Sequence, residues 1–233
     1  MKAQIISTQH SKELLAESAR YALLRRLAPV LRHDMAGALQ PLSMMSSLLE
    51  TRLRHSSPDL ATLARSSSQL NTLAREASNA CLSLMTWLEP NISDLVTVAA
   101  GVEDVSALVT TELSFKGFTI VNKIGDVQAE LPRSMTRNVF MAALIALTDA
   151  ATAPANVVLE AQLMDSELVL TISIQSAQGE LLPAAVPSYR NLEWEDVQAL
   201  AGVESVRLTH TADSAKLHCP LTIAIVYGIK KSP

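Results

Sequence analysis

A helical half followed by an α/β half is the architecture this sequence predicts, and three observations predict it. Between Ser11 and His55 apolar residues recur every third or fourth position: Leu24, Leu27, Leu31, Met35, Ala38, Leu42, Met45, Leu49 and Leu53. That spacing is one stripe of a long helix. A second series, Leu60, Leu63, Leu70, Leu73, Ala77, Cys81, Leu84 and Leu88, starts after Ser56-Ser57-Pro58-Asp59 and stops at Pro90. Beyond Pro90 the period shortens, and alternating strand-like segments interleave with helical ones.

The helical half, residues 1–90, holds two long helices with a short break between them. Gly37 is its only glycine from Ser11 to His55, and Asp59 is placed to cap the second helix. A short break between long stripes gives an antiparallel hairpin. The stripes are too long for one hairpin to bury, so two copies side by side are expected to form a dimeric four-helix bundle.

Residues 91–233 read as an α/β sandwich with its helices on one sheet face. Val102 to Leu113 is helical, and Phe118 to Ile124 alternates as a strand. Arg133 to Ala151 is a strongly apolar helix. Val157–Leu163 and Glu167–Ile174 are strands joined at Met164-Asp165-Ser166. A polar segment, Gln175 to Pro187, precedes a short helix, Leu192 to Leu200. Val206–Thr211 and Lys216–Val226 are expected as a last hairpin turning at Ala212-Asp213-Ser214.

Composition narrows the function classes. At 233 residues, roughly 70–75% of the unfolded surface can be buried without a disulfide or metal staple. Apolar residues make up 48% and aromatics only 3%, so the core is aliphatic. A net charge of −4 offers no general attraction to nucleic acid or to an anionic membrane face. The apolar runs are too short to span a bilayer. MKAQIISTQHSKELL lacks the apolar run of a secretory signal, and Cys81 and Cys219 suit a reducing compartment as free thiols. A soluble cytoplasmic protein is the expectation.

One histidine stands out. With Leu24 as zero and about 100° per residue, Leu31, Met35, Leu42 and Leu49 fall within about 20° of zero. His33 falls at about 180°, opposite the apolar stripe. Its wheel neighbours are Arg26, Pro29, Gly37, Gln40 and Met44. Gly37 clears space beside it, and Pro41 cannot donate to the Gly37 carbonyl, so a kink is expected just beyond the site. Taken alone, an isolated histidine is most often ordinary surface.

The run Leu31-Arg32-His33-Asp34-Met35 resembles the H-box of histidine-kinase dimerisation domains. That family carries its phospho-accepting histidine on the outer face of the first bundle helix, followed by an acid and an apolar residue. The family's proline five residues after the histidine is Ala38 here, and its Thr or Asn four residues after is Gly37. The second half resembles the kinase ATP-binding domain in the order of its elements. Where that family has asparagines, one of which binds Mg²⁺, this chain has Ala142 and Ala146, and neither can ligate a hard cation. The strand Leu168–Ile174 runs into Gln175-Ser176-Ala177-Gln178-Gly179, without the Asp-x-Gly-x-Gly loop. Pro187-Ser188-Tyr189-Arg190-Asn191 has no glycine to cradle a triphosphate.

This combination resembles the ChpT-like histidine phosphotransferases, which join a two-helix dimerisation domain to a degenerate ATPase-like domain. The resemblance implies that His33 takes a phosphoryl group from a receiver-domain aspartate and passes it to another receiver. Asp34 would fix the ring tautomer, and Gln40, Met44 and Ser47 would line the docking face. The partners implied are response-regulator receiver domains and a second copy of the chain. No cofactor and no metal site are expected, because the receiver supplies Mg²⁺. Two rivals stay open: a divergent ATP-dependent kinase, and a dimeric module that binds response regulators without chemistry.

Other candidates weigh less. His210 and His218-Cys219 sit in strand-like segments with no second cysteine nearby, and so read as strand residues rather than as a metal site. His10 lies near the terminus and His55 at a helix end. Glu193, Glu195 and Asp196 read as the solvated start of a helix. Trp87 and Trp194 read as packing anchors. Ser66-Ser67-Ser68 reads as polar surface.

Overall fold

α1 runs from Lys2 to Leu53 and α2 from Leu60 to Leu88 in the computed structural model of this protein, which describes residues 2–88, 94–164, 167–179, 189–220 and 225–226. Leu27–Glu89 make one compact unit; Met1–Arg26 and Pro90–Pro233 make the other. The stop expected at Pro90 lies outside the described residues.

In the helical unit α1 is half-buried at Leu31, Met35, Ala38, Leu42, Met45 and Leu49, at the helical spacing the sequence predicts, but the last residue of that series, Leu53, is exposed and Arg52 is half-buried in its place; Leu60 and Leu88, the ends of the second series, are exposed too. Asp59 starts α2. Its carboxylate accepts from the Ala61 amide at 3.0 Å and from the Thr62 hydroxyl, and these bonds hold its pKa below the usual carboxylate value. Arg52 of α1 donates to the Ser66 hydroxyl of α2. Ser66 also donates to the Thr62 carbonyl and is buried, unlike the exposed Ser67 and Ser68. Polar surface was the expectation for all three; Ser66 departs from it because its hydroxyl has partners on both helices.

In the sheet unit, β1 (Leu95–Thr97) leads into α3 (Val98–Phe115). The Thr97 side chain caps α3 through the Ala100 amide at 3.3 Å. Gly117, at φ 85°, turns the chain into β2 (Phe118–Asn122). β3 (Ala129–Pro132) precedes the apolar helix, which starts as α4 (Arg133–Met135), widens into a π-helical turn at Thr136–Phe140 and continues as α5 (Met141–Ala150). The π turn carries three consecutive polar residues into the interior. Thr136 donates to the Arg133 carbonyl, Arg137 to Asp104 at 2.9 Å, and Asn138 to Glu204 at 3.0 Å.

β4 (Ala155–Leu163), β5 (Glu167–Ser176), α6 (Trp194–Val203), β6 (Arg207–His210), β7 (Ser214–Pro220) and β8 (Ile225–Val226) follow among the described residues. Five strands form one sheet in the order β2-β4-β5-β7-β6, with β2 parallel to β4 and the other pairs antiparallel. α5 packs on β5 and β7. The inward row, including Val157, Leu159, Leu168, Leu170, Ile172 and Leu217, is fully buried, and residues such as Glu160, Gln162 and Lys216 alternate outward.

Two details differ from the expectation of a single sheet ending in a hairpin to Val226. β7 stops at Pro220, which has no amide to extend the ladder, and β8 pairs with β3 instead. β1, β3 and β8 thus form a second, three-stranded sheet that short apolar segments did not announce. Asp165, Ser166 and most of the polar segment Gln175–Pro187 lie outside the described residues.

Candidate functional site

His33 is built on an unbroken stretch of α1, and its side chain is 87% exposed. Leu31 and Met35, two positions before and after, are half-buried. The exposure follows from helix geometry: the half-buried residues take one face and leave the imidazole on the other. Asp34 is also exposed, and its Oδ1 lies 3.5 Å from His33 Nδ1. At that separation the carboxylate acts as a through-space charge, screened by the surrounding water. His33 Nε2 points away from this contact by the geometry of the ring.

The neighbouring positions are open. A Cβ built on Gly37 would meet nothing within 4 Å. Gln40 and Ser47 are exposed, and Met44 keeps 65% of its surface in water. These three therefore share with His33 the solvent side of the helical unit. Pro29 and Pro41 both lie inside α1. Neither carries an amide hydrogen, so the carbonyls of Arg25 and Gly37 lack their partners one turn on. His33 thus occupies a stretch of helix bounded by two missing backbone bonds.

Arg26, a wheel neighbour of His33 and so expected on the same solvent side, is instead buried at 8% exposure. It donates to Glu112 of α3 and lies 3.4 Å from Asp149 Oδ1 of α5. Lys116 reaches the same two carboxylates at 3.0 and 3.1 Å. The cations outweigh burial at Glu112 and hold its pKa below the usual value. The sequence held no signal for this cluster, because charge pairing between residues so far apart has no periodicity.

The remaining candidates find ordinary structural partners. Ala142 and Ala146, at the positions compared with metal-binding asparagines, are buried core residues of α5. His218 Nδ1 lies 2.7 Å from Glu167 Oε1, and Arg207 donates to the same carboxylate at 2.9 Å. The His218 hydrogen bond is the main cause of the lowered Glu167 pKa. Among the described residues no three or more His, Cys, Asp or Glu side chains are grouped to hold a metal. Trp194 stacks on His210 with centroids 4.1 Å apart, and Trp87 is buried in the helical unit. Glu193 and Asp196 form a reciprocal capping box at the start of α6. No helix among the described residues is long and apolar enough to cross a membrane.

No protein-family model matches the sequence, and no curated protein matches it. Similar solved structures include the histidine kinase AdeS of Acinetobacter baumannii, with 13% identity over 77% of this chain and 96% of that one, at a TM-score of 0.45. A histidine kinase from Burkholderia phymatum is 13% identical over 85% of this chain and 97% of that one, at 0.43. A bacterial phosphotransferase is 15% identical over 84% of this chain and 94% of that one, at 0.36. Each is a similarity of backbone shape.

Proposed function

We propose that this protein is a histidine phosphotransferase of a two-component phosphorelay, with His33 as the phosphoryl acceptor. The observation that carries the reading is the placement of His33: an imidazole 87% exposed, opposite a half-buried apolar stripe, with a carboxylate 3.5 Å from Nδ1.

In this scheme the neutral ring holds its proton on Nδ1, beside Asp34, and the Nε2 lone pair attacks the phosphorus of an aspartyl phosphate on a receiver domain. The N–P bond forms as the P–O bond to the aspartyl carboxylate breaks. The receiver carboxylate leaves with the electron pair, and the phosphoimidazolium charge on His33 faces Asp34. The reverse chemistry on a second receiver discharges the group. Phosphoryl transfer depends mainly on positioning and charge neutralisation, and the receiver's own Mg²⁺ supplies the latter. Two proteins must meet in line at Nε2, so the acceptor has to project into solvent. Gln40, Met44 and Ser47 are the proposed docking face, Met44 offering an adaptable apolar contact.

The half-buried stripe Leu31, Met35, Leu42 and Leu49 supports a second proposal: two copies of the helical unit pair as a four-helix bundle. The apolar Ala142 and Ala146 support transfer without ATP.

The test is to offer the purified chain a phosphorylated receiver. Acid-labile, base-stable label on His33, absent in a dimeric His33→Ala variant, supports the proposal. Labelling from ATP alone would replace it with a kinase. Tight receiver binding that His33→Ala leaves intact, without label, would replace it with a binding module.

A further inference from the structure

The early turns of α1 carry two rows of residues on one face. Lys12, Ala16, Ala19 and Leu23 follow at four- and three-residue steps, and so do Leu15, Ala19, Ala22 and Arg26. From Ala16 onward every member of both rows is buried in the sheet unit. Lys12 and Leu15 continue the same rows and yet are exposed, Leu15 by 62%. Both line a groove of about 980 Å³ whose other wall is α6 with His210 of β6. A groove of this size accommodates a small organic ligand.

The α6 wall is apolar. Trp194, Ala199 and Val203 line it, and the first and last of these stand about 13 Å apart along the helix. Trp194 is held by its stack on His210, with the ring planes 11° apart, so the indole is fixed in place before any ligand arrives. Gly202 lies on the same wall. Its φ is not left-handed, and a Cβ there would meet nothing within 4 Å. Alanine would favour the helix, so neither backbone nor packing asks for glycine at this position. Its effect is to keep the groove wide.

The polar groups of the groove are unsatisfied in a particular way. Lys12 and Glu195 carry opposite charges and line the same groove, but they pair neither with each other nor with any other described residue. Glu13, the other acid there, has an interaction of its own. The Gln198 amide and the Ser205 hydroxyl have no hydrogen-bond partner among the described residues. Two opposite charges held apart match a ligand with a charge at each end, and the amide and hydroxyl match a peptide bond between them. We propose that the groove binds a short apolar peptide through both ends: its terminal ammonium at Glu195, its terminal carboxylate at Lys12, and its side chains against Leu15, Trp194 and Val203. Two or three extended residues span about 7–10 Å, within the length of the α6 wall. Nothing in this proposal depends on His33.

The test is calorimetric titration of the purified full chain with the dipeptide phenylalanyl-leucine. Saturable binding of one peptide per chain is expected. Acetylating the peptide's amine should weaken binding about fivefold in the parent and leave it unchanged in Glu195→Gln. Amidating its carboxyl should weaken binding about fivefold in the parent and leave it unchanged in Lys12→Gln. Gly202→Leu fills the groove from an open helix position. It should weaken the free dipeptide about tenfold or more, with helix content and thermal midpoint unchanged. Absence of saturable binding to the parent would overturn the proposal. So would a capped end that costs as much in its charge variant as in the parent, or a Gly202→Leu chain that binds as the parent does. Free phenylalanine binding as tightly as the dipeptide would overturn it too. Labelling of His33 by a receiver is read separately, so either proposal can fail alone.

Discussion

Asn138, in the π-helical turn, donates to Glu204 across 66 residues of sequence at 3.0 Å, and Ser134 donates to the other carboxylate oxygen at 2.8 Å. Both donors are buried, and Glu204 is the C-cap of α6. Replacing Glu204 by Ala strands two buried donors at once. Each unsatisfied buried group costs about 1–3 kcal/mol. Glu204→Ala is therefore expected to lower unfolding free energy by about 2–4 kcal/mol in urea titration, and Glu204→Gln, which keeps one acceptor, by clearly less. Equal losses for the two variants would refute this account of the pair.

Two glycines predict opposite signs. A Cβ on Gly101 would come within 2.9 Å of both Thr136 Cγ2 and Val96 Cγ2, and both neighbours are β-branched and stiff. Gly101→Ala should destabilise by about 1–3 kcal/mol through overpacking. Gly37 sits in open space on an exposed helix face, where Ala is favoured by about 0.5–1 kcal/mol. Thermal unfolding of the two single variants should shift in opposite directions. A Gly37→Ala chain that is stabilised yet takes label slowly would mark the cleared space beside His33 as part of the docking face.

Asp196 joins two devices. It accepts from both terminal nitrogens of Arg190, at 2.6 and 2.8 Å, and from the Glu193 amide at 3.0 Å. The Arg190 bond is the main cause that holds its pKa below 3.8, with the backbone bond adding to it against partial burial. A carboxylate with a depressed folded-state value contributes stability above its unfolded value and loses it as pH falls through the folded one. Asp196→Ala is expected to cost about 1 kcal/mol at neutral pH. The gap between parent and variant should close as pH drops from about 4 towards 2, followed by chemical denaturation across that range. A gap that stays constant with pH would contradict the ion-paired cap.

The two thiols should differ in reactivity. Burial, with Glu167 adding to it, pushes Cys219 up to about 12, and its side chain is fully enclosed. Cys81 is half-buried on α2. With a thiol reagent at pH 8, one equivalent should react in the native chain and the second only in denaturant. Blocking by Cys81→Ser should abolish the native reaction. Fast reaction of Cys219 without unfolding would show that β7 opens locally.

Elements whose signal is local could be read from the order of residues alone. Three- and four-residue spacing from Leu31 to Leu49 located the half-buried face of α1, and with it the exposed side on which His33 lies. Alternation found β4 and β5 nearly to the residue, and Asp59 announced the start of α2. What the sequence left undetermined involves partners distant along the chain. The first part of α1 continues the helical pattern of the rest, yet its Ala19, Leu23 and Arg26 are buried in the sheet unit. Two- and three-residue strands such as β1 and β8 are too short to show a period, and they exist because β3 offers both of its edges. The Arg26–Glu112–Asp149–Lys116 cluster and the Asn138–Glu204 pair belong to the same class. Helix and strand periods are written in neighbouring residues, whereas burial of a charge is decided by which opposite charge the folded chain brings beside it.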